Sequence, residues 1–347
     1  MHAVVTGASG LLGRQLVRQL VAQGWSVKAM VRDTAGRKAL EPLDLEFHAC
    51  DLSRGKVDPG VFRGADVVIH TAAAVTDWAP WPYFLRNTID AARGVCEALA
   101  AAGCRRLVHI STVGVYGRPR TTEPLREDQP YSSMGRWDYY TNSKIQAEEI
   151  VWGYQRQHRL DVTVVRPAMV YGPGARGLIS RLIPLLRQRK LTLIGDPQTP
   201  LPLVNAHDVA SATIRAANSK AAIGEAFNVV NPEKVTQFDF FNTIAALVEA
   251  APVRHRVPYR LAYALGFASE IAARACKSER PPMLTRYRVS LFGHARIYST
   301  DKIQSRLGWE PNIGFQEGIR QAVDGYLVHE RGSRLDSTSS ERRPTPR

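Results

Sequence analysis

Apolar residues in the first half of the chain follow two alternating rhythms. Short apolar runs at 3–6, Ser26–Val31, 45–50, Val67–His70, 107–111 and 162–166 read as strands. Between the first two, Leu12, Leu16 and Leu20 with Val17 and Val21 share one face of a 3.6-residue period, and Gly24 ends that helix. Helical patterns recur at 85–102 and 139–158. Strands alternating with helices over this length predict right-handed crossovers and an α/β fold with a doubly wound parallel sheet.

After Pro167 the rhythm breaks at prolines 173, 184, 197, 200 and 202, and the later segments are longer and more helical. A first domain over 1–170 and a smaller C-terminal domain over 171–330 are expected, with strands near Val204 and at 227–230 returning to the first sheet. Arg331, Arg334, Arg342, Arg343 and Arg347 stand against only Asp336 and Glu341 in a Ser/Thr/Pro-rich end, so 331–347 reads as a disordered tail.

The 347 residues, 44% of them hydrophobic, suffice for a sizeable core. No uncharged run of about 18 apolar residues is present, so no spanning helix is expected. A strand starts almost at once, which leaves no room for a signal peptide. Cys50, Cys96, Cys104 and Cys276 form no Cys-x-x-Cys pair and no zinc-like cluster, so no metal is expected and the chain reads as cytoplasmic and reduced. The formal charge is +14. Its arginines are spread through the chain and no basic run alternates with aromatics, so nucleic acid is not the expected partner.

The candidate chemistry lies in two motifs. Thr6-Gly-Ala-Ser-Gly-Leu-Leu-Gly13 falls between the first strand and the first helix. Gly7, Gly10 and Gly13, with Ser9, Leu11 and Leu12, would let the backbone approach a pyrophosphate at the helix N-terminus, as in a Rossmann-type sheet. The spacing is G-x-x-G-x-x-G, not the G-x-G-x-x-G fingerprint. Arg32, at the end of the second strand, suits a ribose 2′-phosphate because guanidinium binds phosphate in a fork, so NADP is the preferred cofactor. The neighbouring Asp33 keeps NAD open. Asp51-Leu52 fits an adenine contact, although a turn aspartate explains it nearly as well. Thr71, Ala72 and Ala73 would let the backbone near the nicotinamide ribose, or serve close helix–sheet packing.

The second motif is Tyr140-Thr-Asn-Ser-Lys144. A tyrosine and a lysine four apart share a helix face, where an ammonium can favour the phenolate.

With these motifs stand Asp51-Leu52, His70-Thr-Ala-Ala73, Ser111-Thr-Val-Gly-Val-Tyr116-Gly117, Arg166-Pro-Ala-Met-Val-Tyr171-Gly-Pro-Gly174, Leu307-Gly-Trp-Glu-Pro311 and Glu317-Gly318. In this order they resemble an extended short-chain dehydrogenase/reductase over roughly residues 2–328. The resemblance implies an NAD(P)-dependent oxidoreductase. In it Tyr140 exchanges a proton with the substrate oxygen, and Lys144 lowers its pKa and holds the nicotinamide ribose. Thr112 orients the substrate oxygen, with Ser111 as the less favoured choice, and Pro167, Met169 and Val170 line the cofactor. The family often has Asn-Val-x-Gly-Thr after strand four. Here Asn87-Thr-Ile-Asp-Ala-Ala-Arg-Gly94 stands instead, with the asparagine displaced by a residue, so a relay role for Asn87 is in doubt.

The family also holds nucleotide-sugar epimerases and dehydratases, which often carry Arg-Asp-Phe-Val-His-Val-x-Asp-Val. This chain has Leu201-Pro-Leu-Val-Asn-Ala-His-Asp208-Val209, an apolar residue in place of the pyrophosphate-binding arginine, although Arg176 or Arg181 could substitute. Trp78, Trp81, Tyr83 and Phe84 crowd the loop after 70–73, and 257–276 is apolar and helical, punctuated by Arg260 and Arg274. With Ser299-Thr-Asp-Lys302, this resembles the 3β-hydroxysteroid dehydrogenase and dihydroflavonol-reductase-like branch, which implies a C-terminal substrate-binding domain. Tyr171 and Phe267 join the four aromatics as candidate substrate contacts, and the substrate expected is a hydrophobic secondary alcohol or ketone such as a sterol, polyketide or alkyl keto acid. The segment 257–276 reads as a core helix, a substrate lid or a peripheral membrane contact. Helices 85–102 and 139–158 could pair across a twofold axis into a homodimer. An epimerase/dehydratase and a non-catalytic NADP-binding regulator stay as the other readings.

Overall fold

The computed structural model describes residues 1–340 apart from 42, 119–122, 175 and 176. Its strands are β1 (His2–Thr6), β2 (Ser26–Val31), β3 (Glu46–Ala49), β4 (Val67–His70), β5 (Arg106–Ile110), β6 (Asp161–Pro167), β7 (Met169–Tyr171), β8 (Leu193–Ile194), β9 (Leu203–Asn205), β10 (Ala226–Val229) and β11 (Arg256–Val257). Seven of them form one sheet in the order β10-β6-β5-β4-β1-β2-β3. Each pairing in it is parallel. The expected doubly wound Rossmann-type sheet is therefore present.

Both faces of the sheet are buried because successive strand residues point to opposite sides. On β1, Ala3 and Val5 enter one apolar cluster and Val4 the other. Helices Leu11–Ala22 and Ala206–Asn218 pack together on one side, Ala91–Ala102 and Tyr139–His158 on the other. A third cluster, from Ile179 to Val323, forms the core of the smaller region. Strand order reverses between β1 and β4, and ligands of such sheets bind beyond the strand C-termini at that switch point.

Two expectations need correction. The strand around Val204 does not return to the central sheet; β9 pairs with β7 in a two-stranded ladder, Val170 opposite Val204. Only the segment at 227–230 joins the large sheet, through β10 beside β6. The chain is also helical from Phe315 to Ser340, where a disordered tail was expected from 331. The rest of that expected tail, 341–347, lies outside the described residues, as does Arg176. Among the described residues no helix is long and apolar enough to cross a membrane.

Candidate active site

The glycine turn follows β1 at the switch point. Gly7 has φ +65°, and a Cβ on it would lie 2.7 Å from Thr71 Oγ1 and 2.9 Å from the Ala72 backbone. A Cβ on Gly13 would lie 2.2 Å from the carbonyl oxygen of Gly7. Only glycine lets the turn, the helix and the loop after β4 close on one another this tightly. Gly10 caps helix Leu11–Ala22 with no side-chain acceptor, so the helix start presents backbone N–H groups, the arrangement that suits an anion. Thr71 Oγ1 donates to the carbonyl of Thr6 at 2.7 Å, and Thr6 Oγ1 lies 2.7 Å from His70 Nδ1, which ties β1 to the start of the 70–73 loop.

At the end of β2, Arg32 is 63% exposed in its side chain and sits 3.9 Å from Asp51. Asp33 is engaged elsewhere: it caps helix Thr34–Lys38, accepting from Gly36 N at 2.8 Å. Asp51 accepts from Ser53 N and Oγ, and mainly this hydrogen bonding holds its carboxyl below the usual range. Asp51 is thus a turn aspartate, with Arg32 beside it.

Helix Tyr139–His158 starts where the sequence allows a cap: Asp138 accepts from Thr141 N at 3.1 Å. Tyr140, Lys144 and Glu148 then follow at one-turn intervals along one face. The Thr112 hydroxyl, beyond the end of β5, accepts from Gly114 N at 3.1 Å and lies close enough to the Tyr140 phenol to favour its ionised form. Burial pushes the phenol's pKa up to about 12, with Thr112 pulling the other way and Asp138 adding to the rise. Lys144 lies one turn further along the helix. Its Nζ donates to the Ile110 carbonyl at 2.9 Å, and burial brings the ammonium down to about 8 against the pull of Glu148. Desolvation is the largest influence on both groups, raising the phenol and lowering the ammonium.

Ser111 is separated from Thr112 by its partner. It is buried and donates to Glu148 Oε2 at 2.5 Å. Glu148 also receives Tyr131 Oη at 2.9 Å and Arg166 Nε at 2.9 Å, with Arg166 Nη2 closing the pair. Arg166 further donates to Tyr116 Oη at 2.7 Å. This buried network escaped the sequence reading; its signal was the one-turn spacing of Glu148 from Lys144 and the arginine that opens Arg166-Pro167. His70 and His109 lie with ring centroids 5.4 Å apart, and among the described residues neither His109 nitrogen has a hydrogen-bond partner. Burial, chiefly, drives His70 down to about 3 and His109 well below its ordinary range.

Helix Ala91–Ala102 is preceded by a π-helical stretch, Leu85–Asp90. Within it Asn87 donates to the Tyr83 carbonyl at 2.9 Å, its own helix, whereas Thr88 is buried and accepts from Ala74 N at 3.0 Å. Thr88, not Asn87, therefore reaches the loop after β4.

The substrate-side residues divide. Trp81 and Phe84 meet Tyr139 edge-on at 5.6 and 6.2 Å, and Phe84 is buried. Tyr171 is also buried, in the smaller core, where a Cβ on Gly318 would touch its hydroxyl at 2.7 Å. Phe84 and Tyr171 are thus packing residues, not substrate contacts, because neither ring has an open face. Tyr83 is exposed. Trp78 donates from Nε1 to the Ser278 carbonyl at 3.2 Å and lies under Arg274. Its neighbour Asp77 takes Thr285 Oγ1 at 2.8 Å and Arg288 Nε at 2.8 Å, so the loop after β4 is latched to the smaller region. Phe267 is 46% exposed beside the Arg286 guanidinium.

Two residues near the tyrosine were not singled out from sequence. Tyr287 meets Tyr140 edge-on at 6.0 Å. Arg296 acts electrostatically on Tyr287, Asp138 and Tyr298, and its buried Nε has no hydrogen-bond partner among the described residues. Met169 and Val170 are half-buried on β7, which Ala168 separates from the end of β6 at Pro167. Among the described residues no group of His, Cys, Asp and Glu could hold a metal ion.

Comparison with known proteins follows the same lines. Residues 3–230 match the model of the NAD dependent epimerase/dehydratase family. A 2-alkyl-3-oxoalkanoate reductase of Shewanella oneidensis is 27% identical over 92% of this chain and 85% of that protein. The sterol-4-alpha-carboxylate 3-dehydrogenase, decarboxylating, of Mus musculus is 26% identical over 93% of this chain and 90% of its own length. Among solved structures, UDP-glucuronic acid 4-epimerase from Bacillus cereus in complex with NAD superimposes with a TM-score of 0.75 at 20% identity, covering 95% of this chain and 99% of that one.

Proposed function

The chain belongs to the NAD-dependent epimerase/dehydratase family and is an extended short-chain dehydrogenase/reductase, and from that premise we propose an NADP-preferring oxidoreductase acting on a hydrophobic 3-oxo or 3-hydroxy carboxylic acid. The observation that carries the reading is Tyr140 one helical turn from a buried Lys144 whose Nζ is tied to the Ile110 carbonyl at the C-terminal end of β5, two residues before Thr112.

The glycine turn and the uncapped start of helix Leu11–Ala22 fit a pyrophosphate, and Thr71–Ala73 and Lys144 would flank the nicotinamide ribose. For the 2′-phosphate, exposed Arg32 is available, while Asp33 is held as a helix cap and does not offer its carboxylate to a ribose hydroxyl. When bound, the nicotinamide supplies or accepts the hydride. Tyr140, with its pKa near 12, is protonated at neutral pH and stands ready to donate to a ketone oxygen. Thr112 holds that oxygen, and Lys144, close to neutrality at about 8, can supply charge or a proton behind the tyrosine.

The substrate class follows from three places. Leu201, where a sugar-nucleotide enzyme would have arginine, is buried in the smaller apolar core and contributes nothing to a pyrophosphate. Arg296, with an unpartnered Nε near Tyr287 and Asp138, suits a carboxylate on the substrate. The relatives named above, a 2-alkyl-3-oxoalkanoate reductase and a sterol-carboxylate dehydrogenase, act on molecules of that kind by their names.

The test follows nicotinamide absorbance with NADP(H) and NAD(H), offering long-chain 3-oxo acids, sterols with and without a carboxylate, and UDP-sugars. Turnover of an apolar oxo or hydroxy acid, lost in Tyr140→Phe, supports the reading. Alteration of a UDP-sugar alone, with no net cofactor change, overturns it in favour of an epimerase.

A further inference from the structure

Helix Tyr259–Ala275 has its polarity reversed. Its fully buried residues, Ala262, Gly266 and Glu270, are spaced by one turn, with Tyr259, Tyr263 and Ser269 half-buried beside them. At Gly266 a Cβ would lie 3.1 Å from the Thr285 backbone, so the helix lies close on that segment. Glu270 is neutralised there by Arg286, with contacts of 2.7 and 2.9 Å. A helix so seated is expected to turn polar residues outward. At 100° per residue the outward side instead carries Leu261, Ala264, Leu265, Ala268, Ile271 and Ala272, all exposed. Leu261, Leu265 and Ile271 are each about half exposed (51%, 50% and 51%), and Met283 beyond the helix is 56% exposed. This segment is therefore not a core helix, and a continuous apolar face of this kind marks a contact surface.

Charge identifies what the face meets. Arg254, Arg256 and Arg260 stand exposed before or at the start of the helix, and Arg274, Lys277 and Arg280 at its end. Against these six cations the segment 254–283 holds two carboxylates, Glu279 and the already neutralised Glu270. A twofold contact with a second copy would bring the two basic rims together, because such an interface places the same patch on both sides. An apolar strip between cations is complementary to a surface that is greasy within and anionic at its edge.

We propose that the outward face of helix Tyr259–Ala275 docks on an anionic lipid bilayer, its Leu, Ile and Ala side chains at the headgroup boundary and the flanking Arg and Lys on lipid phosphates. The face is joined to the active site. Arg286 stacks between Phe267 and Trp137 at 4.8 and 4.3 Å, and the next residue, Tyr287, meets Tyr140. Trp78, from the loop after β4, is hydrogen-bonded to Ser278 at the other end of the helix. Docking would hold the entrance beside the phase in which an apolar substrate dissolves, but the surface stands without that reading of the substrate.

The full chain is sedimented with phosphatidylcholine vesicles, with and without phosphatidylglycerol, as wild type, Leu265→Glu/Ile271→Glu and Arg260→Glu/Lys277→Glu. Wild type is expected to partition to the anionic vesicles only, with each double variant weakened roughly tenfold or more. Circular dichroism and thermal melting of both variants are expected to match wild type, since the substituted side chains are exposed. Wild type left in the supernatant with anionic vesicles, or unchanged partition of Leu265→Glu/Ile271→Glu, overturns the proposal. So does a dimer, seen by sedimentation equilibrium, that this variant dissociates, which would give the face to a second copy.

Discussion

Lys144 Nζ rests 2.9 Å from the carbonyl oxygen of Ile110, so the lysine, one turn beyond Tyr140, is anchored to the end of β5 two residues before Thr112. Helix and strand end are thereby pinned one turn from the phenol. Removing the phenol hydroxyl should leave this framework intact. Tyr140→Phe is expected to lower turnover by roughly a hundred- to ten-thousandfold, with NADPH affinity unchanged by fluorescence titration.

The two neighbouring hydroxyls should separate cleanly. Thr112→Val should abolish most turnover and leave the melting temperature close to wild type. Ser111→Ala should do the reverse, costing about 1–3 kcal/mol of stability in urea unfolding because Glu148 loses a donor. Equal kinetic losses in both variants would remove the distinction between their roles.

Arg32→Ala should weaken NADPH by roughly ten- to hundredfold, the worth of a charged contact to phosphate, and NADH hardly at all. Isothermal titration with both cofactors reads this directly; parallel losses would end the NADP preference.

Glu148→Gln leaves the Arg166 guanidinium buried without its counter-charge. Breaking a buried pair from one side costs about 3–5 kcal/mol, so the variant is expected to unfold at markedly lower urea. Glu148 also holds the Lys144 pKa up, so in any folded fraction the lysine should titrate below about 8.

Acid should act through the buried histidines. Both have pKa values lowered by folding, so the native state keeps them neutral while the unfolded chain takes up protons below about 6.5. Their contribution is whole above pH 6.5 and is lost as pH falls towards 3, the folded value of His70. The melting temperature should fall through that window, and His109→Leu should flatten the slope. An unchanged slope would show that other groups carry the acid sensitivity.

The sheet was legible because its strands are short apolar runs separated by one-face helices, a pattern that local chemistry writes directly. The glycine turn and Tyr140–Lys144 were legible because each depends on spacing within a few residues. Glu148 with Ser111, and Tyr287 with Tyr140, were not: each pairing spans a long sequence separation and forms only once the chain is folded. Val204 misled for a related reason, since a three-residue apolar strand suits either a large sheet or the small ladder it makes with Val170. Phe84 and Tyr171 misled because aromatic content near a site does not reveal which rings keep an open face.

The π-helical stretch at Leu85–Asp90 works as a phase correction. One additional residue in a regular helix would rotate all that follows by about 100°, turning the small side chains of Ala91, Ala92 and Gly94 away from their packing. The wide turn ends at Asp90, and from Ala91 the regular helix buries Ala91, Ala92 and Gly94. Within the wide turn Asn87 is held by its own helix, and Thr88 is the side chain that meets the loop after β4.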